Sequence, residues 1–155
     1  MKIRVLTVGK TEKGPVLEQV QEYFSRIKRY HPITWEELPD IKGGTNREVQ
    51  KEKEGKLLLE KLSEKEKVWL LDEKGTEFSS REFAHFLAKQ TGSGSGTITF
   101  IIGGPFGFSE TIYKRAHGKV SLSRMTFSHQ MIRPFFAEQL YRAFSILRNE
   151  KYHHD

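Results

Sequence analysis

The chain has 155 residues, a formal net charge of +6 at pH 7 and no cysteine. Its length suits one domain with a buried core, and the missing thiols exclude disulfides, thiolate zinc sites and cysteine nucleophiles. No apolar run approaches the length of a membrane span. We therefore expect a soluble, cytoplasmic protein without a membrane partner.

The positive charge is concentrated towards the C-terminus. The segment 111–155 holds eight Lys or Arg against three Asp or Glu. A basic third of a chain indicates an anionic partner such as RNA, although basic surfaces also serve solubility alone. RNA binding is therefore a hypothesis, and the charge alone does not say which residues would bind the RNA.

Apolar spacing alternates between strand and helix periods along the chain. It predicts strands over 2–8, 33–38, 68–72, 98–102 and 119–122, with helices from 15, from 45 to about 62, from 79 and over 109–116. Such alternation predicts an α/β fold with a mostly parallel sheet of five or six strands and helices on both faces. The whole chain, 1–155, is predicted to be a single domain.

Several short patterns mark the connections between these elements. Thr45 with Glu48, and Ser79 with Glu82, have the spacing of helix capping boxes. The runs 39–44, 73–75 and 91–96 are rich in turn residues and are predicted to be a break, a turn and a connection into the fourth strand. The alternating charges of 51–54 predict a solvated helix face.

The stretch 97–109, TITFIIGGPFGFS, is the centre of the predicted fold. A buried strand runs into Gly103, Gly104 and Gly107, and Ser109 could cap the next helix. Ligands of open α/β sheets sit beyond such strand ends, but a plain strand-to-helix turn fits as well. The loop matches neither the dinucleotide fingerprint nor the P-loop. Asp72, at another strand end, could contact a ligand or satisfy backbone amides in its turn.

The last helix, 131–147, carries apolar residues around more than half of its circumference. One face of a sheet cannot bury so wide a surface. We expect a homodimer, since closed two-fold dimers commonly hide such surfaces, with a wider intramolecular core as the alternative. Pro134 predicts that this helix is kinked there or begins nearby.

Four motifs resemble those of a known family: Ile101–Ser109, Leu122–Phe127 followed by His129, Glu138–Phe144, and Tyr152–His153. Together they resemble the SPOUT class of RNA methyltransferases and, within it, the RlmH family, over the full chain. The resemblance implies an α/β sheet whose C-terminal part forms a deep trefoil knot. It also implies that the cofactor S-adenosylmethionine lies in the knotted loops.

Carried over by position, the resemblance implies a cofactor site made of Leu71, Gly103, Gly104, Leu122, Ser123, Arg124, Met125, Thr126 and Phe127. It implies methylation of N3 of a pseudouridine in the helix 69 loop of 23S ribosomal RNA, on the assembled ribosome and without a metal. The catalytic candidates are His153, Tyr152, Arg142 and His129. His153, His129 or a water would take the N3 proton, and Arg142 with Arg133 would place the RNA.

Two positions depart from the family pattern. Phe106 stands where the family often has an acid, and His154 stands where a basic residue is usual. The first removes a polar group from the glycine loop, and the second removes a fixed positive charge from the tail. The main alternative function is a non-catalytic ribosome-binding protein, and a weaker one is an unrelated nucleotide-binding α/β protein.

Overall fold

The computed structural model describes residues 1–41, 46–92, 94 and 96–155. The elements along the described chain are β1 (Lys2–Val8), α1 (Pro15–Ile27), β2 (Ile33–Leu38), α2 (Arg47–Lys61), β3 (Lys67–Glu77), α3 (Ser80–Gly92), β4 (Thr97–Ile102), α4 (Glu110–Arg115), β5 (Gly118–Ser121) and α5 (Ile132–Leu147). The five strands form one sheet in the order β2-β1-β4-β3-β5, and every pairing is parallel. The predicted α/β fold is confirmed.

Alternate residues of each central strand feed two separate cores. In β1, Ile3 and Val5 belong to a core shared with helices α1, α3 and α5, whereas Leu6 and Val8 belong to a core shared with α2 and α4. The period of two along a strand produces this division, because successive side chains point to opposite faces. Helices therefore cover both faces, as predicted. None of the helices in the described residues is long and apolar enough to cross a membrane.

Helix α5 packs against α1, α3 and the sheet, which accounts for most of its apolar surface. Phe136 and Leu140 are fully buried within the chain. Exposed apolar side chains remain at Met131, Phe135 and Leu147. The wider intramolecular core thus explains much of the pattern from which a dimer was predicted. Pro134 lies in the first turn of α5, so the helix begins near it, where backbone N–H groups have no helical partner.

Several predicted helix ends differ in detail. Asn46 caps α2, and its Oδ1 accepts from the Val49 N–H at 2.8 Å, whereas the predicted capping residue Thr45 lies outside the described residues. Residues 42–45 and positions 93 and 95, in two predicted connections, lie outside the described residues. The second connection is shorter than predicted, since α3 continues to Gly92. The capping box of Ser79 and Glu82 is confirmed by reciprocal backbone hydrogen bonds of 2.7 and 3.3 Å.

Strand β3 continues through 73–75, which were wrongly predicted to be a turn that ends it. The strand bends instead, so that both Leu71 and Thr76 lie opposite Val120 of β5. A Cβ on Gly75 would lie 2.7 Å from the Lys119 carbonyl carbon and 2.8 Å from the backbone of Val120. The bend of β3 therefore holds β5 at a distance that only glycine allows. The trefoil knot stays a prediction.

We expect Gly75→Ala to destabilise the fold by about 2 kcal/mol or more, because the clash is with backbone atoms that cannot rotate away. Urea denaturation measures this change. Gly92→Ala, at the end of α3, is the matched control for added bulk, since a Cβ there meets nothing within 4 Å and Gly92 does not have a positive φ. An unchanged unfolding midpoint for Gly75→Ala would contradict the close approach of β5.

Candidate functional site

A cleft of about 610 Å³ lies where β4 and β5 end and β3 bends. Three segments line it: 71–74 in the bend, 102–108 in the glycine loop, and 122–129 after β5, apart from Arg124. The volume is in the range of small-molecule sites. The position is the sheet edge at which open parallel sheets bind ligands.

The cleft brings together most of the residues predicted to bind the cofactor. Its lining includes Leu71, Gly103, Gly104, Leu122, Ser123, Met125, Thr126 and Phe127. Arg124 is the exception: its side chain is 88% exposed, and its Nε lies 3.4 Å from Glu77 Oε1. His129 also lines the cleft, and so does Tyr113, which was not predicted.

The glycine loop is a tight turn closed on itself. The Gly107 N–H donates to the Gly104 carbonyl at 3.2 Å, and Gly107 has a φ of +81°, which favours glycine. Beneath the loop, a Cβ on Gly103 would lie 3.1 Å from the Phe108 ring. Ser109 occupies the cap position of α4, but its Oγ pairs with Thr111 Oγ1 at 2.9 Å instead of capping the helix.

Glu54 lies directly under this loop, and sequence reasoning missed it. A Cβ on Gly104 would lie 2.9 Å from both carboxyl oxygens of Glu54. The side chain is buried, Oε1 accepts from Gln50 Nε2 at 2.9 Å, and burial raises the pKa of Glu54. The prediction that 51–54 form a solvated face is therefore wrong at Glu54. Gly104 is needed for packing on α2 as well as for any approach of a ligand.

Two carboxylates give the cleft an acidic side. Asp72 Oδ1 accepts from the Lys74 N–H at 2.8 Å, and Oδ2 accepts from the Tyr113 hydroxyl at 2.5 Å. Glu73 Oε2 accepts from the Thr126 hydroxyl at 2.5 Å, which joins the bend of β3 to the segment after β5. Asp72 thus satisfies a backbone amide and also lines the cleft. These carboxylates favour a ligand that carries positive charge.

His129 is the one predicted catalytic residue that lines the cleft of its own chain. Burial, followed by the positive charge of Arg133, lowers the pKa of His129 below its ordinary value of 6.5. Its imidazole is therefore neutral at neutral pH, and a neutral imidazole nitrogen can accept a proton.

Arg133 was predicted to place RNA, and that prediction is wrong. Its side chain is fully buried and donates to the carbonyls of Val8, Gly9 and His129 and to Thr11 Oγ1, at 2.8–3.0 Å. The guanidinium therefore ties the end of β1 to the start of α5 and cannot reach RNA. Burial lowers its pKa, and the nearby acids Glu37, Asp40 and Glu12 act in the opposite direction.

The other predicted catalytic residues meet in a second group, the C-terminal cluster, formed by Glu138, Arg142, Tyr152, His153 and Asp155. Arg142 donates to Glu138 Oε1 at 2.6 Å, and its guanidinium lies 4.8 Å from the Tyr152 ring centroid. The Arg142 and His153 nitrogens are 3.2 Å apart. None of these residues lines the cleft of its own chain.

Hydrogen bonds and an ion pair hold the tail in this cluster. The Tyr152 hydroxyl contacts Glu138 and Tyr23 at 3.2 and 3.3 Å, and burial with these partners raises the pKa of Tyr152. Asp155 pairs with Arg81 at the start of α3, and the guanidinium lowers the pKa of Asp155 to about 2. Tyr152 is thus a neutral phenol suited to stacking or donating, and the tail is packed on α5.

Comparisons with known proteins agree with this architecture. The family described as "Predicted SPOUT methyltransferase" matches residues 1–153. A ribosomal RNA large subunit methyltransferase H from Flavobacterium johnsoniae is 53% identical, covering 99% of both chains. The protein of that name from Parabacteroides distasonis is 49% identical over all of both chains. A probable methylase family protein from Haemophilus influenzae shares the fold, with a TM-score of 0.57 at 13% identity over 99% of this chain and 70% of the other. The chain belongs to the SPOUT methyltransferase family.

Proposed function

We propose that this protein uses S-adenosylmethionine to methylate N3 of a pseudouridine in the helix 69 loop of 23S ribosomal RNA. The observation that carries the proposal is the cleft at the ends of β4 and β5. It gathers the glycine loop and the segment after β5, two of the four motifs on which the resemblance depends. The full-length relatives named as large subunit ribosomal RNA methyltransferases support the class of substrate.

The residues of the cleft fit this cofactor. Leu71, Leu122 and Phe127 offer apolar surface for an adenine, and the glycine loop offers backbone that a ligand can approach closely. The cofactor carries a sulfonium and an ammonium group, so the carboxylates of Asp72 and Glu73 favour it. The same carboxylates disfavour phosphate groups, but Lys74 also lines the cleft, so titration with a nucleotide decides the nucleotide-binding alternative.

S-adenosylmethionine, when bound, supplies an electrophilic methyl group. The chain must hold the uracil-like ring in line with that group and accept the N3 proton. His129, neutral within the cleft, is one candidate acceptor. In the C-terminal cluster, Tyr152 offers a ring for stacking, Arg142 a positive charge for phosphate, and His153 a second acceptor.

We infer a homodimer in which each C-terminal cluster serves the cleft of the partner. An exposed apolar patch, formed by Met125, Phe127, Met131 and Phe135, supports this inference. It is continuous, since the Phe127 and Phe135 rings are 5.3 Å apart and Met131 lies one helical turn from Phe135. It borders the cleft, because Met125 and Phe127 belong to both. Burying the exposed apolar patch against a second copy of the chain would bring residues of the partner subunit to the cleft.

The substrate we propose is the assembled ribosome in the cytoplasm. A chain of 155 residues has little surface with which to select one nucleotide, so contacts to a large particle would supply specificity. Phosphate contacts by the basic C-terminal third would make binding strongly dependent on salt. A short hairpin of the helix 69 loop should accordingly be methylated far less efficiently than whole ribosomes.

Calorimetric titration with S-adenosylmethionine tests the proposal. We expect saturable binding by the wild-type protein and at least a tenfold loss in Leu122→Arg, because a long cationic side chain would enter the cleft and repel a cationic ligand. Leu59→Ala, exposed on α2, is the control. A wild-type protein that binds ribosomes but not this cofactor would favour the non-catalytic alternative. A preference for a phosphorylated nucleotide over S-adenosylmethionine would favour the second alternative, an unrelated nucleotide-binding α/β protein.

A further inference from the structure

Phe106 is an aromatic residue at the tip of the glycine loop, and much of it faces solvent. It lines the cleft, yet 42% of it is exposed. The turn between Gly104 and Gly107 fixes its backbone, since these glycines pair through a backbone hydrogen bond. The exposed part of the Phe106 ring is therefore accessible to another molecule.

A cation accompanies this ring. The guanidinium carbon of Arg47, the first residue of α2, lies over the Phe106 ring at 5.5 Å from its centroid. A second such pair lies at the cleft, where Lys119 Nζ is 5.5 Å from the ring centroid of Tyr113, a residue that lines the cleft. Flat rings interleaved with cations are what proteins use to bind single-stranded RNA, with stacking for the bases and charge for the phosphates.

We propose that Phe106 stacks on a nucleobase of the RNA substrate that flanks the modified nucleotide, and that Arg47 binds the adjoining phosphate. This inference rests on the proposed function, because it takes ribosomal RNA to be the substrate. It assigns the glycine loop two surfaces: its inner side belongs to the cofactor cleft, and its exposed tip belongs to the RNA.

The charges favour RNA over the adenine of the cofactor as the source of the stacked base. Arg47 would attract a polyanion but repel S-adenosylmethionine, whose sulfonium and ammonium groups are positive. The apolar side chains suited to the adenine, Leu71, Leu122 and Phe127, come from β3 and the segment after β5 rather than from the loop tip. The acidic side chains of the cleft, Asp72 and Glu73, come from the bend of β3 and not from the glycine loop.

The test compares binding of purified large ribosomal subunits by the full-length protein and three variants. Phe106→Ala removes the ring, Phe106→Leu keeps apolar bulk without a flat ring, and Phe106→Trp keeps stacking. We expect the dissociation constant from cosedimentation to rise about tenfold in the Ala and Leu variants and to change little in the Trp variant. The control Leu59→Ala should bind the subunits like wild type. Affinity for S-adenosylmethionine, measured by calorimetry, should stay within about twofold in every variant.

Wild-type subunit affinity in Phe106→Leu would overturn the inference. A loss of S-adenosylmethionine affinity in the Ala and Leu variants with unchanged subunit binding would also overturn the inference, because the stacked base would then be the cofactor's adenine. Failure of the wild-type protein to bind subunits would also overturn it. The binding assay requires no methyl transfer. A protein that binds subunits through Phe106 but transfers no methyl group would therefore contradict the proposed function alone.

Discussion

Deletion of residues 152–155 is expected to lower methyl transfer to ribosomes by about a hundredfold or more, the usual effect of losing a general base and its positioning groups. Affinity for S-adenosylmethionine should stay close to that of the full chain, because the tail lines no part of its own cleft. The tail is exposed at its end and packs on α5 through Tyr152, so the fold should also survive its removal.

Mixed dimers can show which cleft the tail serves. One subunit would lack 152–155 and keep an intact cleft, while the other would carry Leu122→Arg and keep its tail. If each tail acts on the partner's cleft, random mixing of these two inactive proteins restores about a quarter of wild-type activity, because half of the dimers hold one complete site. If each tail acts on its own cleft, mixing restores nothing.

Sedimentation equilibrium supplies the control for this experiment. The tail-deleted protein should keep the mass of a dimer, whereas Phe135→Asp should lower it, because a charge would enter the exposed apolar patch. Monomeric wild-type protein at micromolar concentration would contradict the dimer. Full activity after deletion of the tail would leave His129 and the 122–127 segment as the catalytic groups.

Replacement of the buried Arg133 by methionine is expected to lower the free energy of unfolding by about 3 kcal/mol or more. Methionine has similar length but leaves the carbonyls of Val8, Gly9 and His129 without their donor, at about 1–3 kcal/mol for each buried group. Since domains are stable by only about 5–15 kcal/mol, the loss should be plain in urea denaturation.

The matched control is Arg29→Met, an exposed arginine just after the end of α1, which should change stability by no more than about 0.5 kcal/mol. If Arg133 instead contacted RNA, as first predicted, Arg133→Met would keep full stability and weaken ribosome binding. An unchanged unfolding midpoint for Arg133→Met would therefore reject the structural role described here.

Features that depend on neighbours in sequence were predictable. The five strands follow from runs of apolar residues, and in β4 only Thr97 of the six residues is incompletely buried. The glycine loop and the segment after β5 could be assigned to one cleft because parallel strands place their carboxyl ends at the same edge. The parallel sheet and its cleft were therefore largely predictable.

Features set by distant parts of the chain were not predictable. Gly75 has the local pattern of a turn, but β5 holds it in a strand. Glu54 lies in a charged run, but the glycine loop covers it. Arg133 has the appearance of a surface cation, but three of its four acceptors come from the far end of the chain. In each case a contact across many residues overrides the local propensity.

The anchoring of Arg133 also bears on how the protein is made. Its acceptor Val8 is 125 residues earlier in the sequence, so the carbonyls at the end of β1 have no such donor until most of the chain has been synthesised. At elongation rates of about 5–20 residues per second, the delay is on the order of ten seconds. For most of that interval β1 also lacks its neighbour β4, which begins at Thr97, whereas its other neighbour β2 follows it early in the chain. The first strand of the sheet can therefore pair with β2 soon after it is made, but its carboxyl end acquires this side-chain anchor only much later in synthesis.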